Sequence, residues 1–302
     1  MTIGLKGVGM SPTNFSANIG VGTGMGAKLA CSGHFLSGFD EDQIRNDLAS
    51  YSPAIDLFNI TLDEQAGKAT VDLLGLFNTS ATYRKGIGCT LDQSDTTVLD
   101  GLEPPAVPNL DKNSLWPEGP RVREPDSRLV ETLSLSLTQD QEQGLQTRAL
   151  IMVQSGRIVA EVYAPEITPN TPLMGWSQGK SLTALMLGWL EQHGLISVLE
   201  RNLFPQWTED ERTEISVKNL LQMSSGLDFD EVYAPGTDAT RMLFMDATVS
   251  GVPLQSALTE APGTHFYYSS GTTNLLTLLF NERVGGPQNA LNHLYQAILW
   301  PL

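Results

Sequence analysis

Between Leu182 and Leu190 the chain reads Leu-Thr-Ala-Leu-Met-Leu-Gly-Trp-Leu, and Thr183 is its one polar member. A helix with no solvated face has to run through the middle of its domain, so the rest of that domain is expected to pack around this segment. Such a helix normally opens with a cap. Here it opens with Ser177 and, three residues on, Lys180, which at about 3.6 residues per turn share one face about a turn apart. The first N–H groups of a helix are unpaired and carry the positive end of its dipole, so a serine there can share its site with a developing oxyanion. A lysine held against apolar walls is disfavoured as the ammonium and moves toward the range of a base. In the plain alternative Ser177 is an N-cap and Lys180 a solvated first-turn residue. The apolar helix behind them weighs against it.

Two rival motifs overlap the same residues. Gly175-Trp176-Ser177-Gln178-Gly179 satisfies the G-x-S-x-G nucleophile elbow, which must follow a buried strand. The preceding segment carries Pro165, Pro169 and Pro172 and few apolar residues, so it is no central strand and the elbow loses its context. Gly179-Lys180-Ser181 looks like the tail of a phosphate-binding loop, but Met174 stands where that loop needs glycine.

A chain of 302 residues has room for two ordinary domains, and six prolines, Pro104, Pro105, Pro108, Pro117, Pro120 and Pro125, mark a break. They make residues 101–125 an extended linker. Before it, residues 1–26 are glycine-rich and aperiodic and are expected to be a flexible or edge segment. Residues 27–100 are expected to form a small α+β module: a helix over 40–48 ending before Ser52-Pro53, then strands within 54–62 and 69–77 as a hairpin. After the linker come a helix from Ser127, a hairpin over 149–163 turning at Ser155-Gly156, the central helix ending at His193-Gly194, and a short helix over 216–223.

With 18 Lys and Arg against 34 Asp and Glu the formal charge is −16, which argues against nucleic acid or an anionic membrane as partner. No stretch approaches a membrane span, and the amino terminus of the chain as given lacks the apolar run of a signal peptide. His34, His193, His265 and His293 show no metal-ligand spacing, and no metal or organic cofactor is expected. Cys31 and Cys89 are too few for a zinc site and leave a single bridge open.

A second constellation lies at Pro262-Gly263, Tyr268-Ser269-Ser270, ahead of an apolar helix from Asn274 to Phe280. Together with Ser177-x-x-Lys180 and the Leu220–Leu227 stretch, it stands in the order and approximate spacing of the serine β-lactamase and penicillin-binding-protein superfamily. More narrowly, the chain resembles class C-like serine hydrolases: family VIII carboxylesterases and 6-aminohexanoate-dimer hydrolase. The resemblance covers roughly residues 126–302, through motifs that are specific in combination and weak singly. It implies an α+β, β-lactamase-like domain, an antiparallel sheet with a helical subdomain, preceded by the accessory module.

It further implies an acyl-enzyme mechanism on small esters or amides, with Ser177 as nucleophile and Lys180 with Tyr268 as the proton-transfer pair. Tyr267 is the adjacent alternative for the tyrosine. Tyr233, Tyr267 and Ser270 are expected at the substrate. Ser270 stands where this superfamily's Tyr-x-Asn motif has asparagine, which puts β-lactam hydrolysis in doubt more than ester hydrolysis. The alternative is a non-catalytic module of the same fold that binds peptide or cell-wall fragments. The likeness of residues 27–91 to a region preceding such domains in exported hydrolases implies a periplasmic or extracellular setting, where Cys31 and Cys89 would pair.

In the resembled fold the hairpin joins further strands supplied after the tyrosine motif, one carrying Lys/His-Thr/Ser-Gly and the second oxyanion N–H. Here 274–299 reads as helical and the chain as given stops at Leu302. The C-terminal part of the domain is therefore expected to be absent, leaving an open strand edge, an uncovered 182–190 helix and poor turnover unless a second chain completes the sheet.

Overall fold

The computed structural model of the chain describes residues 12–109 and 111–301. It divides into two compact units, one built from the chain up to Pro105 together with Met174–Ala297, the other from Ala106–Leu173 with the chain from Ile298 onward. The first break falls within the proline-rich segment. The second separates the hairpin from the helix that carries Ser177, so the expected continuous domain over 126–302 is shared between the units.

The glycine-rich beginning is helical, which corrects the expectation of a flexible segment for residues 12–26; residues 1–11 lie outside the described residues. Helix α1 spans Pro12–Phe35. Its glycines mark close approach: a Cβ on Gly22 would lie 3.0 Å from the Phe58 ring, on Gly26 3.1 Å from Val71, and on Gly24 2.1 Å from the Phe244 carbonyl oxygen. Periodicity in large apolar residues is blind to a helix that packs through the absence of side chains. Helix α2, Glu41–Tyr51, is capped by Asp40, which accepts from the Gln43 N–H at 2.8 Å, and buries Ile44 and Leu48 one turn apart.

Four strands follow as an antiparallel meander: β1 Phe58–Asp63, β2 Lys68–Leu73, β3 Phe77–Arg84 and β4 Gly88–Leu91. The face under α1 buries Ile60, Ala69, Val71, Ala81 and Cys89. The other face is polar, with Thr70 and Ser80 hydroxyls 2.8 Å apart and Thr82 donating to Asp92 at 2.9 Å. The expected hairpin is β1 and β2. Strands β3 and β4 lie beyond the expected hairpin, because Asn78, Thr79 and Ser80 leave β3 without an alternation of large apolar residues. Cys31 of α1 and Cys89 of β4 form a disulfide with Cα atoms 6.0 Å apart, stapling the helix to the sheet's edge strand. A bridge of this kind contributes about 2–4 kcal/mol. The short helix α3, Thr97–Asp100, ends the module.

In the second unit α4, Ser127–Glu142, is capped by Asp126 and packs on strand β6, Arg157–Tyr163, which pairs with β5, Ala149–Gln154. The turn has Ser155 and Gly156 at φ 50° and 69°, the paired positive φ of a two-residue hairpin turn. Among the described residues no third strand joins this hairpin, and Ile151 and Val153 are half exposed.

The rest of the first unit is helical: α5 Gln178–Gln192, α6 Val217–Leu221, α7 Asp238–Phe244, α8 Gly251–Gln255, α9 Ser270–Arg283 and α10 Pro287–His293. Helix α9 is its core, burying Leu275, Leu276, Leu279 and Phe280, and α5 and α6 pack on it. The expectation of a fully interior α5 is corrected. Thr183, Met186, Leu187 and Leu190 are buried on one face, while Ala184 and Gly188 are exposed and Leu185 is 50% exposed on the other.

Two glycines test the close-packing account of α1. Gly24→Ala puts a methyl group onto the backbone of Phe244 and should cost about 1–3 kcal/mol. Gly188→Ala, in the interior of α5 where an added Cβ meets nothing within 4 Å, should gain roughly 0.5–1 kcal/mol. Urea denaturation midpoints moving in opposite directions would bear this out; a silent Gly24→Ala would not.

Candidate active site

The chain enters α5 through Trp176 at φ 42°, left-handed backbone that costs an aromatic residue energy. Ser177 then occupies the N-cap position, but its φ of −66° and ψ of −6° are helical rather than extended, and its side chain makes no capping bond. The N–H groups of Gln178, Gly179 and Lys180 donate to the carbonyls of Gly175, Trp176 and Ser177 at 2.9, 3.1 and 3.1 Å. The expectation of several free N–H groups is thus corrected: a tighter turn takes them up. Among the described residues the Ser177 N–H, like those of Gly175 and Trp176 before it, is without an acceptor.

Freed from capping, the Ser177 Oγ meets two other groups. The Lys180 Nζ donates to it at 3.2 Å and the Tyr268 phenol at 2.7 Å. Lys180, half-buried rather than enclosed, also donates to Ser270 Oγ at 3.0 Å, and its Nζ lies 4.8 Å from the centre of the Tyr268 ring.

Tyr268 is held by backbone pairing. The Gly263 N–H donates to Ser224 O at 2.7 Å and the Tyr267 N–H to Met223 O at 2.8 Å, so the Leu220–Leu227 stretch acts as a rail beneath the tyrosine segment. The rail closes on Gly226 at φ 79°, where a Cβ would sit 2.0 Å from the Glu260 carbonyl oxygen. Tyr267 lies apart from Ser177, lining a cavity of about 440 Å³ with Ser225, Asp228, His265 and Ser269.

After Tyr268, Ser269 caps α9 by accepting from the Thr272 N–H at 3.2 Å, and Ser270 becomes the first helical residue. Glu231, which no sequence pattern singled out, sits here. Its Oε2 accepts from the Ser270 N–H at 2.6 Å and its Oε1 from the Ser270 hydroxyl at 2.5 Å and the Tyr233 hydroxyl at 2.9 Å. The approach depends on Gly271, whose missing Cβ would lie 2.8 Å from the Phe229 ring just ahead of Glu231. One acid on a loop of an acidic chain carries no spacing signal; the small residue behind Ser270 was the available hint.

The electrostatics follow from these contacts. The hydrogen bond with Ser177, and then the bond and charge of Lys180, hold the Tyr268 phenol below its usual value of 10.0, opposed by burial and by the Glu231 charge. Burial first, and then Glu231, push the Tyr233 phenol up, opposed by its bond to Ser270. Among the described residues no group of His, Cys, Asp and Glu could hold a metal ion, and no helix is long and apolar enough to cross a membrane.

The family model for Beta-lactamase matches residues 134–302, so the chain belongs to the β-lactamase family, one of serine hydrolases with an α+β fold. Similar solved structures include a protein described as a 6-aminohexanoate-dimer hydrolase from Bacillus anthracis, at 18% identity over 65% of this chain and 52% of that one, with a TM-score of 0.42. Another is a class C β-lactamase, at 16% identity over 58% of this chain and 48% of that one, with a TM-score of 0.41. The chain spans about half the length of these structures. No curated protein matches it.

The Tyr268 phenol should titrate below 10.0, and Ser177→Ala should move its midpoint up by removing the largest lowering contact. Ultraviolet difference titration against Tyr268→Phe measures both. A midpoint indifferent to Ser177→Ala would mean that the two side chains are not hydrogen-bonded in solution.

Proposed function

We propose that this chain is a serine hydrolase acting through an acyl-enzyme on small carboxylic esters or amides. Ser177 is the nucleophile, Lys180 and Tyr268 exchange its proton, and Ser270 and Tyr233 border the substrate. The observation that carries this is the Ser177 hydroxyl, which caps nothing and lies within hydrogen-bond reach of both Lys180 Nζ and Tyr268 Oη.

In acylation Oγ attacks the carbonyl carbon while its proton passes to the basic member of the tyrosine and lysine pair. The carbonyl oxygen becomes an oxyanion beside the free Ser177 N–H at the positive end of α5. When the tetrahedral intermediate collapses, the bond to the leaving alcohol or amine breaks and that group takes the proton. Water then adds to the acyl-enzyme, gives a proton to the same pair, and the carboxylic acid leaves as Ser177 recovers its own. A lowered Tyr268 phenol supports a tyrosine in the basic role. Ser270 supplies a hydroxyl in place of an amide that could orient an amide substrate, which favours esters over β-lactams.

A fluorophosphonate probe should label Ser177 stoichiometrically. Ser177→Ala, Lys180→Ala and Tyr268→Phe should each lower turnover of p-nitrophenyl esters by roughly two orders of magnitude or more, with losses far from additive. A chromogenic β-lactam should be turned over more slowly than the esters. Undiminished esterase activity in Ser177→Ala would overturn the proposal, and an unlabelled protein that retains peptide or cell-wall fragments would favour a binding module.

A further inference from the structure

We infer that Glu231 is a positioning residue for Ser177 and Lys180: its carboxylate takes the hydroxyl proton of Ser270 in a hydrogen bond, so that Ser270 only accepts from Lys180 and the amine is left directed at Ser177. The inference rests on the roles proposed above for Ser177 and Lys180.

A serine hydroxyl has one proton and two lone pairs, whereas a carboxylate only accepts. Of the groups around Ser270 Oγ, Glu231 Oε1 is nearest at 2.5 Å, with Lys180 Nζ at 3.0 Å and the Tyr233 hydroxyl at 3.4 Å. Hydrogen bonds to an ionised acceptor are roughly twice as strong as neutral ones, so the Ser270 hydroxyl points its proton at Glu231. The second carboxylate oxygen fixes the register by accepting from the Ser270 N–H at 2.6 Å. The consequence reaches Lys180. A Ser270 hydroxyl free to turn could point its own proton at Nζ, setting two donors against each other and pushing the amine away from Ser177. Held by Glu231, Ser270 instead presents only lone pairs, takes one N–H of Lys180 at 3.0 Å and leaves another for Ser177 Oγ, 3.2 Å away. The titratable groups around Glu231 are Tyr233, bonded to it, Tyr268, which feels its charge, and Lys180 through Ser270.

A helix cap at α9 would explain the same contacts, so the test must separate capping from positioning. We would measure the rate of fluorophosphonate labelling of Ser177 and the Tyr268 titration midpoint in Glu231→Ala, Glu231→Gln, Ser270→Ala and the Glu231→Ala/Ser270→Ala pair. Glu231→Ala should slow labelling at least roughly tenfold, through misplacement of the lysine. Glu231→Gln, which keeps one accepting oxygen for the two Ser270 donors, should recover only part of the rate. Ser270→Ala should match Glu231→Ala, and the double variant should be no slower than either, because the two act in series. The Tyr268 midpoint should rise in Ser270→Ala as Lys180 loses its anchor, and fall in Glu231→Gln as a charge that holds it up is removed. Additive losses in rate, or a Tyr268 midpoint unmoved in both variants, would overturn the role and leave a helix cap. If the parent protein takes no label, or Ser177→Ala takes it equally, the hydrolase proposal is what fails, and the opposite movements of the phenol midpoint still decide for or against Glu231.

Discussion

The hydroxyl of Ser177 is not spent on its own helix, and the site depends on that. A serine at an N-cap ordinarily has extended backbone and accepts from an N–H two or three residues on. Here Trp176 takes the left-handed conformation in its place, Ser177 is already helical, and the N–H groups of the first turn find carbonyls within the turn. The strain at Trp176 thus has a chemical outcome: an oxygen with no structural duty, aimed at a lysine and a tyrosine.

The partners of that oxygen are brought in by contacts that only glycine permits. Gly226 lets the Leu220–Leu227 rail touch the Glu260 backbone, which sets the strand-like run that ends at Tyr268. Gly271 lets Phe229 lie against the start of α9, which carries Glu231 to Ser270. The loop of Glu231 and Tyr233 is in turn tied to α7, since the Asp230 N–H donates to Asp238 at 3.0 Å and the Ala239 N–H to Asp230 O at 3.1 Å. Helix α7 ends at Phe244, whose carbonyl accepts from Gln93 at 2.7 Å and is the group that Gly24 of α1 approaches. The amino-terminal module therefore braces the loop beside Ser270, which gives it a part in the site without supplying a side chain to it.

Elements defined by large apolar residues were legible in the chain, and so were the chemical groups that Ser-x-x-Lys and Tyr-Ser-Ser announce. Helices α2, α5 and α9 and the β5 and β6 hairpin carry their pattern locally, in caps, turn residues and runs of leucine. What was not legible is whatever works by subtraction or at long range. Helix α1 has glycines where a buried helix usually has leucines, so it looked like a flexible segment. Strand β3 buries an alanine, Ala81, and presents hydroxyls on its other face. The interior position expected for α5 rested on composition, and a residue such as Leu185 shows that apolar character does not by itself secure cover. Glu231 is hard to read for a different reason: its partner Ser270 lies 39 residues away, and only the small Gly271 behind Ser270 hints at a close approach.

The departure at Ser270 and the presence of Glu231 have one explanation. An asparagine at that position would have its polarity built in, because its carbonyl can only accept and its amide can only donate, so a lysine facing the oxygen has one way to bond. A serine has no such built-in direction. Its hydroxyl can turn its proton toward whichever neighbour attracts it, and beside Lys180 that freedom would set two donors against each other. Restoring direction to a hydroxyl takes a stronger acceptor on its far side, and a carboxylate bonded to both the N–H and the O–H of the same residue supplies it. The negative charge has a cost that an asparagine would not impose, since it opposes the lowering of the Tyr268 phenol. Two residues offset it, Ser177 through its hydrogen bond with the phenol and Lys180 through its bond and its charge, and both act on the phenol directly. Serine with glutamate thus gives Lys180 an acceptor whose direction is set.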